Sequence, residues 1–353
     1  MKIVVLTLAA HPMALGGIQT FVRRIKKFYD TDVILLTNKN IDKKLYPIDD
    51  VIEVGSLNII FRAINRLLKD KIRKYLVVQE LKKINPEIII CNLPYELEII
   101  KDFKCEKKIL VQHFNFERFI SDIPRMQKLK KDLTSYIVLS PYDKEKFQKG
   151  FGLLKEKVKV IRHTCEIELL QNKKEKNKKL IIVARLSNHQ KRFDLAIKAM
   201  KKLPEFTLDI YADRVDGEQE LNMLKNLAKE NSISNVFFRG STNNVKEKLD
   251  ESGIFIMTSD FEGYPITLIE AMRRGLPIVL RNTFEAAEDI VIDNGVLLDK
   301  EWNEDKFIEA VRKVYDNYEY YSENSKKLGE RHSPEAIKKE WDKLLRGREK
   351  WKK

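Results

Sequence analysis

The sequence predicts an α/β protein of two domains, each built on a parallel β-sheet. Three observations predict this fold class. The chain has 353 residues, which is too long for one ordinary core. Short apolar runs alternate with amphipathic stretches, as is typical of parallel sheets covered by helices. A polar, highly charged stretch at residues 165–179, CEIELLQNKKEKNKK, separates two such series.

The predicted segments are an N-terminal domain at 1–163, a C-terminal domain at 164–330 and a basic amphipathic helix at 331–353, which we expect to pack back on the N-terminal domain. Runs such as IIIC are apolar throughout, because helices cover both faces of a parallel sheet. In the first domain we predict a helix at 17–29 and strands at 2–8, 33–37, 87–92, 108–112 and 135–139. In the second we predict helices at 192–202 and 218–230, and strands at 180–183, 207–211, 235–239, 253–257 and 277–280.

The positive charge is concentrated in the first half of the chain. The whole chain carries a net charge of +14, and residues 1–163 contain 32 Lys and Arg against 19 Asp and Glu. Such an uneven field attracts an anionic partner, which could be a nucleic acid, an acidic lipid surface or a phosphate-bearing substrate. Composition alone does not choose among the three.

Cysteine usage and apolar segments predict a cytoplasmic protein. The three cysteines stand alone, which indicates a reducing compartment and no structural zinc. The first residues, MKIVVLTLAAH, continue into HPMALGG without a small-residue cleavage site, so they predict a buried strand and not a signal peptide. No stretch approaches the ~18 apolar residues that would cross a bilayer.

The strongest motif is SDFEGYPITLIEAMRRGLPIV at residues 259–279. It predicts a strand end, a loop with Glu262, a helix that begins at Pro265 and contains Glu270, and a left-handed end at Gly275. The amides at such a helix start can bind a phosphate at the mouth of a parallel sheet. Both glutamates could point into one cleft; the alternative is two solvated glutamates beside a core helix.

Two further motifs carry candidate binding residues. In VARLSNHQKRFDLAIKA, residues 183–199, a strand delivers Arg185 and the next loop delivers Lys191. Two cations at the carboxyl end of a parallel strand suit a diphosphate, which they would neutralise as it leaves. In ALGGIQTF, residues 14–21, Gly16 and Gly17 let the backbone approach a ligand at a helix start, although a lone Gly-Gly pair is a weak signal.

Together and in this order, these motifs and VQHFN at 111–115 resemble the retaining GT-B glycosyltransferases of family 4, also called glycosyl transferases group 1. The resemblance covers essentially the whole chain, and the segment with EGYP and the two glutamates is its most specific part. It implies two Rossmann-like domains facing across a cleft, with the acceptor bound by the N-terminal domain and the donor by the C-terminal one.

The resemblance also implies roles for individual residues. Arg185 and Lys191 would bind the donor diphosphate, Glu270 would accept hydrogen bonds from the ribose hydroxyls, and Gly16 and Gly17 would approach the phosphate and the reaction centre. The transferred sugar would be held by Glu262 with the amides of Gly263, Tyr264 and Pro265, and by His113 from the N-terminal domain. Without the resemblance, His113 is more simply interpreted as a core histidine at a strand end.

Two positions depart from the family pattern. A Gly-Gly pair is common after the last donor-domain strand, where this chain has RNTFEAAEDI at 281–290. A glycine is common where this chain has Ala212 and Asp213. Asp30-Thr31-Asp32 matches the metal motif of a different glycosyltransferase fold, but it precedes a strand instead of following one. We therefore expect no metal and no cofactor, with Arg185 and Lys191 stabilising the leaving group.

A basic stripe is the remaining candidate surface. Residues 58–84 have helical periodicity, and Arg62, Arg66, Lys69 and Arg73 recur on one side at spacings of four, three and four. A basic amphipathic helix is typical of binding to an anionic membrane. The alternative, a helix docked on its own core with a solvated outer face, stays open at this point.

The sequence therefore predicts a retaining, metal-independent transferase that moves a hexose or N-acetylhexosamine from a nucleotide sugar, with UDP as the expected carrier. We expect a bacterial surface glycan or lipid-linked saccharide as acceptor, and a location in the cytoplasm that includes the inner membrane face. A nucleotide-sugar epimerase of the same fold is the alternative. A nucleic-acid-binding protein is disfavoured because no nucleic-acid motif accompanies the charge and no aromatics interleave the basic stripe.

Overall fold

The structure, a computed structural model, describes residues 1–14, 16–39, 46–55, 67–68, 70–213 and 218–347. The chain divides into two compact units. The first contains Met1–Arg162 and the end of the chain from Lys338, and the second contains His163–Ile337. Each unit is built on a parallel sheet with helices between its strands, which confirms the predicted α/β class.

The first unit contains a seven-stranded sheet in the order β3-β2-β1-β4-β5-β6-β7, and its pairings are parallel. All residues of the two central strands β1 and β4 are buried, as their apolar sequences predict. The strands are β1 (Ile3–Thr7), β2 (Val33–Asn38), β3 (Val51–Val54), β4 (Ile88–Cys91), β5 (Lys107–Val111), β6 (Ser135–Val138) and β7 (Val158–Val160).

A helix of the first unit shows a common N-terminal signal, a proline preceded by a capping serine. This helix starts at Pro141, and the Ser140 hydroxyl before it accepts a hydrogen bond from the amide of Asp143 at 3.1 Å. The helices are α1 (Gly17–Tyr29), α2 (Lys71–Ile84), α3 (Pro94–Ile99), α4 (Ile123–Leu129) and α5 (Pro141–Phe151).

The second unit contains a six-stranded parallel sheet in the order β10-β9-β8-β11-β12-β13. Because parallel strands all end at the same edge, the loops after β8, β11 and β12 meet there. The strands are β8 (Lys179–Arg185), β9 (Thr207–Asp213), β10 (Val236–Gly240), β11 (Ile254–Met257), β12 (Ile278–Arg281) and β13 (Gly295–Leu298).

The helices of the second unit pack on this sheet, and buried aromatic and aliphatic side chains such as Phe193 and Phe307 form the core. Gly275 has a φ of +71°, so the left-handed end predicted for the helix before it is confirmed. The helices are α6 (Asn188–Lys191), α7 (Phe193–Ala199), α8 (Glu218–Glu230), α9 (Val245–Asp250), α10 (Ile266–Arg273), α11 (Ala287–Ile290), α12 (Glu304–Asp316) and α13 (Tyr318–Glu330).

The final helix, α14 (Pro334–Arg346), carries the chain from the second unit back into the first. Its Trp341 is buried and packs against Phe21 of α1 at 5.9 Å between ring centroids. The Lys107 ammonium donates hydrogen bonds to the last carbonyls of the helix, those of Leu344 at 2.9 Å and Leu345 at 2.8 Å. A cation on these carbonyls satisfies groups that the helix itself leaves without partners.

Among the described residues, no helix combines the length and the apolar character needed to cross a membrane.

Candidate functional site

Arg185 and Lys191 lie at the carboxyl edge of the second sheet, where the sequence predicts them. Arg185 is the last residue of β8 and its side chain is exposed. Lys191 ends the short helix α6, and Arg192 after it has a left-handed φ of 51°. Within the part of the chain that the structure describes, the Arg185 side chain makes no hydrogen bond or ion pair, so its guanidinium is available to an anion.

Lys191 and Glu262 form an ion pair, which the sequence does not reveal. The Lys191 Nζ lies 2.6 Å from Glu262 Oε1, and the two side chains are only 12% and 9% exposed. Gln190 also donates from Nε2 to the other carboxylate oxygen of Glu262 at 3.3 Å. Two residues that we assigned to different parts of one ligand therefore neutralise each other in the ligand-free protein.

The loops that carry this pair are joined by hydrogen bonds to backbone carbonyls. The Thr258 hydroxyl donates to the carbonyl oxygens of Lys191 at 3.0 Å and Arg192 at 2.9 Å. The amide of Asp260 donates to the carbonyl of Gln190 at 2.8 Å. Because the chain after β11 is fixed to the chain after β8, the positions of Lys191 and Glu262 are set together.

Asp260 connects these two loops to the strand β12. Its carboxylate accepts hydrogen bonds from Arg192 at 3.0 Å and from Arg281 at 2.7 Å. Burial acts to raise the pKa of Asp260, but the hydrogen bonds from Arg281 and Arg192 outweigh it and hold the pKa below its usual value. Sequence reasoning missed Asp260, Arg192 and Arg281; the placement of Arg281 at the end of a predicted apolar strand was the available signal.

The segment after Glu262 leads into helix α10. Pro265 precedes the first helical residue with a φ of −65°, and Glu270 lies half-buried within the helix. Tyr264 is buried, and its hydroxyl donates to Asp289 Oδ2 at 3.1 Å and lies 3.4 Å from His332 Nε2. The Tyr264 ring thus anchors this loop, while the backbone N–H groups of Gly263 and Tyr264 are the groups that we assign to the ligand. Pro265, which the sequence also suggested, has no N–H to donate.

In the first unit, the glycine pair stands at the start of α1. Gly16 has a φ of +151°, and a Cβ there would lie 2.2 Å from Oε1 of Gln19. A Cβ at Gly17, by contrast, would meet no atom within 4 Å. Arg23 of the same helix donates to the carbonyls of Pro12 at 2.8 Å and Ala14 at 2.9 Å, which fixes the loop before Gly16.

His113 follows β5 and is held on two sides. Its Nε2 lies 2.8 Å from Oδ1 of Asn92, and its ring packs edge-on against Phe21 of α1 at 5.0 Å between centroids. Burial lowers the pKa of His113 to about 3, so the imidazole is neutral at physiological pH. Phe21 belongs to the helix that begins at Gly17, so the structure connects the glycine pair with His113.

Only one residue of the predicted basic stripe, Arg73, lies among the described residues. Arg62, Arg66 and Lys69 lie outside the described residues. Asp70 has a left-handed φ of 62°, so the helix that contains Arg73 begins only at Lys71. The spacing of four, three and four places side chains on one face only in an unbroken helix. Because the other three residues are not described, the assignment of all four to one basic surface stays a prediction. Arg73 itself pairs with Asp70 at 3.4 Å.

The remaining positions that the sequence analysis singled out have ordinary structural roles. Asp30–Asp32 is a 3₁₀ turn before β2, where Asp32 lies 3.7 Å from the terminal amine of Met1. Thr283, in the segment that replaces the family's glycine pair, donates from its hydroxyl to the carbonyl of Ser259 at 2.7 Å. Ala212 and Asp213 complete β9. Within the described ranges, no group of three or more His, Cys, Asp or Glu side chains is arranged to hold a metal ion.

Residues 167–332 match the family model described as glycosyl transferases group 1. This match covers slightly less than half of the chain. WbnH, an O-antigen biosynthesis glycosyltransferase of Escherichia coli, is 28% identical over 235 residues, which cover 65% of this chain and 65% of WbnH. An uncharacterized glycosyltransferase of Haemophilus influenzae is 34% identical over 179 residues, 48% of this chain and 49% of that protein. The chain thus spans less than two thirds of the length of these relatives.

Solved structures match over nearly the whole chain. WaaB, a lipopolysaccharide outer core galactosyltransferase in its apo form, aligns with a TM-score of 0.78 at 20% identity, covering 98% of this chain and 99% of WaaB. HepE of Anabaena in complex with UDP aligns with a TM-score of 0.80 at 18% identity, covering 98% of this chain and 100% of HepE. The predicted GT-B fold is confirmed.

Proposed function

We propose that this protein is a retaining glycosyltransferase that moves a hexose or N-acetylhexosamine from a UDP-sugar to a hydroxyl of a surface glycan or lipid-linked saccharide. The observation that carries the proposal is the Lys191–Glu262 ion pair in the loops at the carboxyl edge of the second sheet, the edge where β8 ends at the exposed Arg185. These three residues are called the cation–carboxylate cluster below. The family match over 167–332 supports the same reaction class. UDP is favoured because it is the nucleotide bound to HepE.

In this proposal the two cations bind the donor diphosphate. The exposed Arg185 meets the anion first, and Lys191 exchanges its bond to Glu262 for one to a phosphate oxygen. As the bond between the sugar C1 and the diphosphate oxygen breaks, negative charge grows on that oxygen. Arg185 and Lys191 stabilise this charge, which places them among the groups that lower the barrier. No metal is needed for this step.

The same exchange prepares Glu262 for the sugar. Once Lys191 binds the diphosphate, both carboxylate oxygens of Glu262 become acceptors for sugar hydroxyls. The backbone N–H groups of Gly263 and Tyr264 supply donors next to it, whereas Pro265 has no N–H and only fixes the start of the helix. Glu270 accepts hydrogen bonds from the ribose hydroxyls. Hydrogen bonds to a charged acceptor are the stronger class, so these two glutamates define much of the donor affinity.

We propose that the departing diphosphate of the donor deprotonates the acceptor hydroxyl. The acceptor hydroxyl attacks C1 from the face that the diphosphate leaves, and its proton passes to the departing diphosphate oxygen. The new C1–oxygen bond therefore forms on the side of the broken one, which retains the anomeric configuration. His113 is held neutral by burial, so it contributes hydrogen bonding to the sugar and not positive charge.

The acceptor class and the location rest on relatives and on charge. WbnH is named for O-antigen biosynthesis, and a Bacillus subtilis relative is named poly(glycerol-phosphate) alpha-glucosyltransferase. The excess of positive charge in residues 1–163 would favour attachment to the anionic inner face of a membrane. Co-sedimentation with anionic vesicles tests this attachment, and equal sedimentation with neutral vesicles would contradict it.

A thermal-shift panel tests the donor assignment. A ligand that binds only the folded state raises the melting temperature in proportion to its affinity, so we expect UDP and one UDP-sugar to stabilise the protein. Arg185→Ala should lose that stabilisation, whereas Arg312→Ala, which removes an exposed cation from α12, should keep it. Transfer to an acceptor with retained configuration then tests the reaction; formation of an epimer from the donor alone would contradict it.

A further inference from the structure

Glu96 is a buried carboxylate in the first unit that the proposed reaction does not use. It lies in the first turn of α3, and the residue is 1% exposed. Its Oε1 accepts a hydrogen bond from the amide of Leu8 at 2.7 Å. Its Oε2 accepts from the amides of Asn92 at 2.7 Å and Leu93 at 3.1 Å. Glu96 therefore joins the chain just after β1 to the chain just after β4.

These contacts set the orientation of Asn92. The Asn92 side chain is buried, and its Nδ2 donates to the carbonyl of Leu6 in β1 at 2.6 Å. Because the NH2 group is used on that side, Oδ1 is the atom that faces His113, 2.8 Å from Nε2. An amide oxygen only accepts, so the hydrogen between the two atoms belongs to Nε2. Nδ1 is then the acceptor atom of the neutral ring.

We propose that Asn92 and Glu96 are positioning residues for His113: they fix its ring as the Nε2–H tautomer, which sets the hydrogen bonds that His113 contributes to the bound sugar or acceptor. Glu96, Asn92 and His113 are called the histidine network below. This inference rests on the proposed function for its catalytic consequence. It does not rest on that function for the tautomer, which is a property of the ligand-free protein.

The geometry also explains why two residues are needed. Asn92 alone could rotate its side-chain amide and offer an NH2 group to His113, which would demand the opposite tautomer. Glu96 holds the Asn92 backbone, and the Leu6 carbonyl holds its NH2 group, so that rotation would leave a buried carbonyl without a donor. A buried carbonyl that has lost its donor is unfavourable enough to select one orientation of the Asn92 amide.

NMR of ¹⁵N-histidine-labelled protein at pH 7 tests the tautomer, with the His113 signals identified by their loss in His113→Gln. We expect the wild type to show the Nε2–H pattern. Asn92→Leu should show a mixture of tautomers or the opposite one. Asn38→Leu is the matched control, because Asn38 also donates to a carbonyl after β1, that of Leu8 at 2.5 Å, but does not bond to His113. An unchanged pattern in Asn92→Leu would overturn the proposal.

Kinetics separate positioning from a general structural role. Displacing a reacting group by about 1 Å can cost up to 10²-fold, so we expect Asn92→Leu to lower kcat by about tenfold to 10²-fold with little change in donor KM. In the His113→Gln background the same substitution should add no further loss. An equal loss in both backgrounds would show that Asn92 acts without His113 and would overturn the proposal.

Glu96→Gln provides the second variant, because glutamine offers one acceptor oxygen to three amides. We expect the same mixture of tautomers and the same loss of kcat, with a melting temperature that shows the protein still folds. If no nucleotide sugar supports transfer by the wild type, the proposed function fails. The tautomer measurement still decides whether Asn92 and Glu96 orient His113.

Discussion

The two units prepare their candidate residues in opposite ways. In the second unit, the cation–carboxylate cluster contains an internal ion pair, with Lys191 and Glu262 2.6 Å apart. In the first unit, the histidine network avoids positive charge: burial lowers the pKa of His113 to about 3, and backbone amides surround Glu96. One site can exchange its internal ion pair for a ligand, whereas the other offers fixed hydrogen-bonding groups.

This difference between an ion pair and a hydrogen-bonded network indicates which function each unit suits. An ion pair with an exposed neighbour such as Arg185 can open when an anion arrives, because the ligand replaces the interaction that is lost. The hydrogen-bonded histidine network changes little when a ligand binds, because any movement of Glu96 or Asn92 leaves amides or carbonyls unpaired. We therefore assign charge stabilisation to the second unit and orientation to the first, and substitutions in the two should differ in kind.

Arg185→Ala should have the largest effect. Its guanidinium is proposed to meet the charge that grows on the leaving diphosphate, so its loss should lower kcat by about 10²-fold or more. Because Arg185 is exposed and has no partner among the described residues, the melting temperature without ligand should stay close to that of the wild type. Steady-state kinetics and a thermal melt measure the two quantities.

Lys191→Ala should lower kcat similarly but also disturb the ligand-free protein, because it leaves the Glu262 carboxylate without its cation. EDTA should leave the wild type active. A strict requirement for a divalent metal would contradict the role given to both cations.

Glu270→Ala should weaken donor binding without abolishing turnover. The ribose hydroxyls would lose a charged acceptor worth about 1.5–3 kcal/mol, or roughly tenfold to 150-fold in affinity. Calorimetric titration with UDP measures this change. The matched control is Glu323→Ala on α13, which removes a partly exposed glutamate of the same unit that pairs with Lys326. Equal UDP affinity in Glu270→Ala and in the wild type would contradict the assignment.

The two glycines should respond differently to alanine. Gly17→Ala introduces a Cβ that meets no atom within 4 Å, so the protein should fold normally and lose activity only if a ligand approaches this backbone. Gly16→Ala places a Cβ 2.2 Å from Gln19 Oε1 at a φ of +151°, so it should lower the melting temperature. If Gly17→Ala shows wild-type kinetics, the glycine pair does not lie at the reaction centre.

The sequence predicted the sheets better than the contacts between loops. Runs such as IIIC identify central strands because burial on both faces demands apolar residues. The edge strands β3, β7 and β13 were missed: β3, VIEV, has three half-buried residues and includes a glutamate, so it lacks that signal. The family motifs identified Lys191 and Glu262, but their ion pair joins residues 71 positions apart and depends on how two loops meet.

The histidine network was missed for a related reason. A glutamate in the first turn of a helix is common because it interacts favourably with the helix dipole, so Glu96 looks ordinary in the sequence. Its role depends on the amide of Leu8, 88 residues away in the chain. Only the parallel pairing of β1 with β4 brings the two together.

The pH dependence of stability should show the smallest effect. Burial raises the pKa of Glu96 to about 7 from 4.5, so the folded state holds this proton more tightly and the free energy of unfolding falls as pH rises between those values. Burial lowers the pKa of His113 to about 3 from 6.5, so there the free energy of unfolding rises with pH. The two contributions oppose each other between pH 4.5 and 6.5.

His113→Gln should therefore expose the contribution of Glu96. Relative to the wild type, its free energy of unfolding should fall with rising pH by up to about 1.4 kcal/mol per pH unit in that window. Urea unfolding at several pH values measures the slope, and adding Glu96→Gln should remove it. A slope equal to that of the wild type would contradict opposing titrations of Glu96 and His113.

The most direct test of the account is a calorimetric titration of UDP into the wild type, Lys191→Gln and Lys202→Gln. Lys202 is a matched control because it is an exposed lysine of the same unit that pairs with Glu304 and Asp305. We predict that the wild type and Lys202→Gln bind UDP alike and that Lys191→Gln binds at least about tenfold more weakly, since it loses a charge-assisted bond to phosphate. Equal UDP affinity in all three proteins, or no binding to the wild type, would contradict the claim that the cation–carboxylate cluster is a nucleoside diphosphate site.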